Sequence, residues 1–256
     1  MLIGREKEKA IITKMRESGT LGGSYLFFGE PMTGKFAFAL ELANSLEKNP
    51  SVLSDAFIIS PDPERNTIGI DEIREIKNFL AVVPVASDYR TVIVRDAENM
   101  TREAQNAFLK ITEEPPIHSL IILTVNSSES ILPTLASRLR KIYFPRVQME
   151  IMRSWLIEEC KLPEKEAESL ARISLGRPGL AKAILSEDWQ KIKAPKDLKF
   201  ETEAEYDRFI LKSLLDLYNS EEKSYQNLKE SLHRYYLSKQ FNLNKKLQLK
   251  STPWIL

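Results

Sequence analysis

Gly29-Glu-Pro-Met-Thr-Gly34-Lys35-Phe36 is the sequence that most restricts the fold of this chain. Glycine, four residues, glycine and lysine form the pattern of a phosphate loop, in which backbone N–H groups and the lysine surround phosphate oxygens. An apolar run at 25–28 precedes it and a helical pattern at 36–46 follows, so N–H groups at a helix N-terminus would face an anion. The alternative is an ordinary strand-to-helix turn that uses glycine for tight geometry. The candidate phosphate-binding residues are Gly29, Thr33, Gly34 and Lys35.

Two positions that should hold a metal depart from the pattern. Phe36 replaces the Ser or Thr whose hydroxyl ligates magnesium on the nucleotide. After the run at 91–94, Arg95 takes the place of the magnesium-binding acid, and Asp96 that of the glutamate which polarises water. The alternative for Asp96 is a solvated strand end where it caps the next turn. Defects at both positions predict a degenerate site with no metal, no firmly bound cofactor, and at most weak binding of ATP, ADP, phosphate or sulfate.

Composition limits the classes of function. The 256 residues suffice for two or three domains. A formal net charge of +1 gives no bulk electrostatic case for binding nucleic acid, and the single cysteine, Cys160, excludes an internal disulfide framework or a four-cysteine zinc site. With no apolar stretch of about 18 residues and no signal-peptide pattern, we expect a cytoplasmic protein.

The order of apolar runs and helical patterns predicts three domains. Residues 1–145 alternate between the two, which is typical of an α/β domain with a mostly parallel sheet. Residues 146–190 contain three short amphipathic helices with Pro163 and Pro178 at first-turn positions, and 191–256 contain two longer helices rich in aromatic residues. The predicted strands are 25–28, 56–59, 91–94, 120–125 and 141–144. The predicted helices of the first two domains are 6–16, 36–46, 70–81, 102–112, 147–160, 163–174 and 178–186.

Further motifs resemble those of one family. Residues 102–116, REAQNAFLKITEEPP, resemble the signature helix of bacterial clamp-loader AAA+ subunits, and Leu120-Ile-Ile-Leu-Thr-Val resembles their fourth core strand. Leu132-Pro-Thr-Leu-Ala-Ser137-Arg138-Leu139 resembles the motif Ser-Arg-Cys, with leucine in place of the cysteine. Four motifs in order over residues 1–186 are similar to DNA polymerase III clamp loaders, of the δ′ type or close to γ/τ.

This resemblance implies a specific role for Arg138. Clamp-loader subunits form an open five-membered ring that places a sliding clamp on primed DNA, with ATP between neighbours. The arginine of the Ser-Arg-Cys motif reaches into the adjacent subunit's site and stabilises charge on the γ-phosphate. Here that arginine is Arg138, preceded by Ser137. The alternatives are a surface ion pair for Arg138, worth about 1 kcal/mol at most, or Arg140 as the finger.

Other family features are altered. The arginine that senses the γ-phosphate is replaced by Gly179 in Gly176-Arg177-Pro178-Gly179, and the polar sensor after the fourth strand is Thr124 or Asn126. Residues 47–55 lack the four cysteines of the family's zinc module, so no zinc is expected.

These patterns predict an AAA+ α/β domain, a small three-helix lid and a shortened, collar-like oligomerisation domain. The predicted function is that of a non-hydrolysing, δ′-like clamp-loader subunit, whose partners are γ/τ and δ subunits, the sliding clamp and primed-template DNA. The alternatives are an active γ/τ-like ATPase, an AAA+ DNA-remodelling helicase related to Holliday-junction motors, and a binding module unrelated to replication.

Overall fold

The computed structural model describes residues 2–49 and 53–185, which contain one five-stranded sheet in the order β2-β3-β4-β1-β5. All pairs of neighbouring strands are parallel. The predicted strands are confirmed, with ends that differ by two residues or fewer. The strands are β1 (Gly23–Phe28), β2 (Ala56–Ile59), β3 (Arg90–Val94), β4 (Ser119–Val125) and β5 (Arg140–Tyr143).

The predicted helices of this part of the chain are confirmed, and two short elements add to them. These are α5, with four residues, and a 3-10 turn at Ala97–Asn99. Thr101 is the N-cap of α4, as predicted, and its hydroxyl accepts a hydrogen bond from Ala104 N at 3.1 Å. The helices are α1 (Glu6–Glu17), α2 (Lys35–Leu46), α3 (Ile70–Leu80), α4 (Arg102–Glu113), α5 (Pro133–Ala136), α6 (Met149–Glu158), α7 (Glu164–Ser174) and α8 (Pro178–Leu185).

Helices cover both faces of the sheet, so that a separate hydrophobic core lies on each face. All seven residues of β4 are buried, which explains why its sequence is an apolar run rather than an alternating one. Successive side chains of a strand enter opposite clusters, so Leu26 packs on the face with α3 and α4, and Phe27 on the face with α1 and α2. Burying each such side chain contributes about 1.5–3 kcal/mol.

One compact unit ends at Gly179, and a second begins at Leu180. Within the first, α6 packs against α7. The predicted boundaries at 145/146 and 190/191, and the lid as a domain, remain predictions. The predicted collar at 191–256 lies outside the described residues. In the described ranges, every helix is too short or too polar to cross a bilayer.

Candidate functional site

The predicted phosphate loop joins the carboxyl end of β1 to the N-terminus of α2. Gly29 has a φ of +144°, and a Cβ there would lie 2.4 Å from the carbonyl oxygen of Phe144. Only glycine permits so close an approach of two backbone segments. Gly34, the N-cap of α2, is in the left-handed region, and no acidic residue lies in the first turn of the helix. The backbone therefore keeps the strand–loop–helix arrangement predicted from the sequence.

Lys35 is buried and bound to the loop itself. Its Nζ donates to the carbonyl oxygens of Gly29 and Glu30, both at 2.7 Å, and lies 3.4 Å from Asn126 Oδ1. An ammonium has three N–H donors, so all three have a protein acceptor. An anion that bound here would have to displace at least one of these contacts.

Burial lowers the pKa of Lys35 to about 8, with the carboxylates of Glu98 and Asp96 acting in the opposite direction. The unfolded chain keeps this proton up to about pH 10.5, its unperturbed value. The unfolded state therefore binds more protons between about pH 8 and 10.5, so the contribution of Lys35 to stability increases with pH in that window.

We expect the stability difference between the wild type and Lys35→Met to change in favour of the wild type as the pH rises from 8 to 10. The stability difference can change by at most about 1.4 kcal/mol per pH unit. The measurement is urea unfolding across this range, with Lys77→Met, at an exposed lysine, as the control. A difference for Lys35→Met that stays level across this range would contradict the lowered pKa of Lys35.

Three residues that are distant from the loop in sequence form hydrogen bonds with Glu30, Met32 and Thr33 of the loop. Arg5 is buried, and its Nη2 donates to Thr33 O at 2.5 Å. Arg146 Nε donates to both carboxylate oxygens of Glu30 at 2.9 Å. Gly179 N donates to Met32 O at 2.9 Å. These contacts could not be predicted from the sequence, because nothing in the local pattern pairs residues so far apart.

Gly179, the residue at the predicted sensor position, lies directly against the loop. A Cβ at this position would lie 2.9 Å from Met32 O and 3.1 Å from Met32 Cβ. The close approach of the two backbones depends on the absence of a side chain. The position that carries an arginine in the family's pattern is thus a point of backbone contact.

The end of β3 brings the two altered metal positions together. The Arg95 guanidinium carbon lies 5.1 Å from the centre of the Phe36 ring, within the range of a cation–π contact. Arg95 Nε also donates to Asp96 Oδ2 at 3.2 Å. Asp96, with a φ of 49°, is the N-cap residue of the following 3-10 turn and is partly exposed, as the alternative had it, but its side chain makes no capping hydrogen bond. Its backbone N–H instead donates to Thr124 Oγ1 at 3.1 Å.

Asn126 and Glu98 complete the polar set beside Lys35. The Asn126 backbone N–H and side-chain amide donate to Glu98 Oε1 at 3.2 and 2.5 Å. Burial raises the pKa of the Glu98 carboxyl. Of the two sensor candidates, Asn126 lies next to Lys35, whereas Thr124 contacts the backbone of Asp96. Glu98 was missed at the sequence level, although it follows Asp96 by only two residues.

The residues of this site do not fit a magnesium ion. One of its two carboxylates, Asp96, is paired with Arg95, and Phe36 offers no oxygen. Across the described ranges, no group of three or more His, Cys, Asp or Glu side chains lies close enough together to hold a metal. Glu98 Oε2 is buried without a hydrogen-bond partner in the same part of the chain, but a single carboxylate oxygen does not make a magnesium site.

Arg138 and Ser137 lie on the surface after α5. Arg138 Nη1 donates to Thr134 O at 2.7 Å and Nη2 to Glu113 Oε1 at 2.9 Å, and its side chain is 37% exposed. Ser137 Oγ also donates to Thr134 O, at 3.0 Å. Arg140 is held differently, because its Nη1 contacts Thr20 O at 2.7 Å and the Tyr25 hydroxyl at 3.1 Å. Of the two candidate fingers, Arg138 is held only by surface groups that a competing anion could replace.

Comparisons with known proteins agree with the motifs. The family model described as "DNA polymerase III, delta subunit" matches residues 4–148. DNA polymerase III subunit delta' of Escherichia coli is 33% identical over 137 residues, which are 53% of this chain and 41% of that protein. DNA polymerase III subunit gamma/tau of Mycobacterium tuberculosis is 30% identical over 177 residues, or 62% and 31% of the two chains. The chain thus spans between about a third and two fifths of these relatives' length.

Solved structures confirm the predicted AAA+ fold. A DNA polymerase III gamma subunit-related protein of Thermotoga maritima superposes with a TM-score of 0.60 at 27% identity, covering 96% of each chain. The Holliday junction branch migration motor RuvB of the same organism superposes with a TM-score of 0.56, covering 90% of this chain and 82% of RuvB. Its 15% identity shows a shared fold and nothing further.

Proposed function

Because the chain belongs to the DNA polymerase III delta-subunit family of clamp-loader proteins, we propose that it is a non-hydrolysing, δ′-like subunit. In this role it completes the ATP site of a neighbouring subunit with Arg138. The observation that carries the proposal is the state of its own phosphate loop. Lys35 uses all three donors within the protein, and the two metal positions are filled by Phe36 and Arg95. Hydrolysis of a nucleoside triphosphate depends on the metal and on the lysine, so this chain would not carry out the reaction alone.

Arg138 supports the second half of the proposal. A finger must be a cation at the surface, held in place yet able to exchange its partner for a phosphate oxygen. Arg138 meets both conditions through its carbonyl and carboxylate contacts. Both of those contacts are half-exposed, so giving one up costs about 1 kcal/mol or less.

The proposed partners are γ/τ and δ subunits, the sliding clamp and primed-template DNA. Exposed apolar side chains support a protein partner of some kind: Val82, Val83, Val85 and Ile117 have exposures from 54% to 89%. Arg90 fixes the loop that carries the valines, because its guanidinium donates to the carbonyls of Val82 and Val83. Contact with DNA would follow the phosphate backbone and be blind to sequence.

An active, γ/τ-like ATPase is the second candidate. It is favoured by the retained Lys35 and by the 30% identity with a gamma/tau subunit. The helicase alternative rests on fold likeness alone.

Turnover by the purified chain separates the two candidates. We expect no magnesium-dependent ATP hydrolysis above that of Lys35→Ala, since the metal has no ligand set. The same preparation should bind γ/τ and δ subunits in size-exclusion chromatography. Hydrolysis that Lys35→Ala abolishes would overturn the inert-subunit proposal in favour of the γ/τ-like one, and failure to bind either subunit would argue for a module unrelated to replication.

A further inference from the structure

The two substitutions that remove metal ligands contact each other. Phe36 lies in the first turn of α2 and Arg95 directly after β3, and the guanidinium lies 5.1 Å from the ring centre. Had these positions simply lost a function independently, there would be no reason for the new side chains to be complementary. A cation above an aromatic face is such a complementary pair.

The surrounding contacts restrain this guanidinium, whose side chain is 51% exposed. The Arg95 backbone N–H donates to Ile59 O at 2.8 Å, which holds the backbone of Arg95 beside the last residue of β2. On the side-chain end, Nε donates to Asp96 Oδ2 at 3.2 Å. Asp96 is itself anchored by the bond from its N–H to Thr124. The positive charge therefore lies between an aromatic ring and a carboxylate at the edge of the sheet where the phosphate loop begins.

We propose that the Arg95 guanidinium, held between the Phe36 ring and the Asp96 carboxylate, is a built-in substitute for the divalent cation and excludes magnesium from this site. The inference deepens the proposed function and rests on it. It accounts for the departure of both positions from the family's pattern. With Ser or Thr at position 36, Arg95 would lose its aromatic partner. With aspartate at position 95, the guanidinium would be gone and a new carboxylate would lie beside those of Asp96 and Glu98.

The inference predicts that the site binds magnesium once Arg95 is reverted, and that the metal contributes to ATP binding only when both positions are reverted. Four proteins test it: the wild type, Phe36→Thr, Arg95→Asp and the double variant. Arg74→Asp is the matched control, because it reverses the charge of an exposed arginine that pairs with Asp71 elsewhere on the surface. The measurements are thermal unfolding with and without MgCl2 and titration calorimetry with ATP in MgCl2 or in EDTA.

We expect the wild type and Arg74→Asp to show no change in melting temperature with MgCl2. Arg95→Asp should unfold at lower temperature, because it gathers three carboxylates, and should recover about 5 °C or more in MgCl2. The double variant should bind ATP about 10-fold or more tightly in MgCl2 than in EDTA, from the added metal ligands. Phe36→Thr alone should bind ATP equally in both, since Arg95 remains. If Arg95→Asp does not fold, a double variant built with Arg95→Asn replaces it in both measurements.

A wild type stabilised by MgCl2 as strongly as the double variant would overturn the inference, and so would a folded double variant indifferent to the metal. These outcomes differ from failure of the proposed function. If the wild type binds magnesium but does not hydrolyse ATP, the inference about Arg95 fails and the proposed function stands. Turnover by the wild type removes the proposed function and the inference with it.

Discussion

Replacing Arg138 by alanine in a reconstituted complex is expected to slow ATP hydrolysis at the adjacent subunit's site about 1,000-fold or more, with the complex still assembled. A guanidinium in trans stabilises the charge that develops on the γ-phosphate, and alanine leaves that charge to the remaining groups. Assembly should persist because the side chain contributes only surface contacts to its own chain, with Thr134 and Glu113. The measurement is single-turnover hydrolysis by a complex in which the other ATP sites are inactivated.

Two variants separate the finger from a structural role. Glu113→Gln removes the ion-pair partner but leaves the guanidinium, so hydrolysis should remain within about 3-fold of the wild type, the range of a surface pair. Arg138→Lys keeps the charge without the planar fork of donors and should recover only part of the rate. A complex containing Arg138→Ala that hydrolyses ATP at the wild-type rate would remove the finger from the proposal.

Replacing Gly29 by alanine is expected to lower the free energy of unfolding by about 3–5 kcal/mol. The added Cβ would lie 2.4 Å from the Phe144 carbonyl oxygen, and the φ of +144° is strained for any other residue. Phe144 cannot move away cheaply, because its ring is fully buried against Phe27 and Phe38 with the Arg5 guanidinium above it.

Gly34→Ala is the matched control, from the other end of the same loop. Its φ is +98°, but a Cβ there meets nothing within 4 Å, so only backbone strain remains, about 1–3 kcal/mol. Urea unfolding of both variants gives the comparison. Equal losses would show that the approach to Phe144 O is not what requires glycine at position 29.

The sequence predicts the strands and long helices well because their burial is continuous or periodic. β4 is buried along its whole length, and such a run leaves few alternatives to a parallel strand. The short α5 and the 3-10 turn after Asp96 were missed, since a single turn gives no period to detect.

In the candidate site, too, local patterns were predictable and long-range contacts were not. Residues such as Lys35 and Arg138 can be named from a local motif, and their roles remain predictions. What these side chains contact could not be found, because each contact joins distant segments: Arg5 to Thr33, Gly179 to Met32, and Arg95 to Phe36. Arg5 gave no signal, since an arginine is ordinarily exposed.

The contact between Gly179 and Met32 bears on how such a subunit could evolve. An arginine at position 179 would push its Cβ into the Met32 backbone, so this substitution would be selected against before it could gain any advantage. A lineage with this geometry would have to reshape the turn at Met32 first, a change with no benefit of its own. In the proposed role, reversal to an independent motor would then require several simultaneous substitutions, and the dependence on neighbouring subunits would be self-perpetuating.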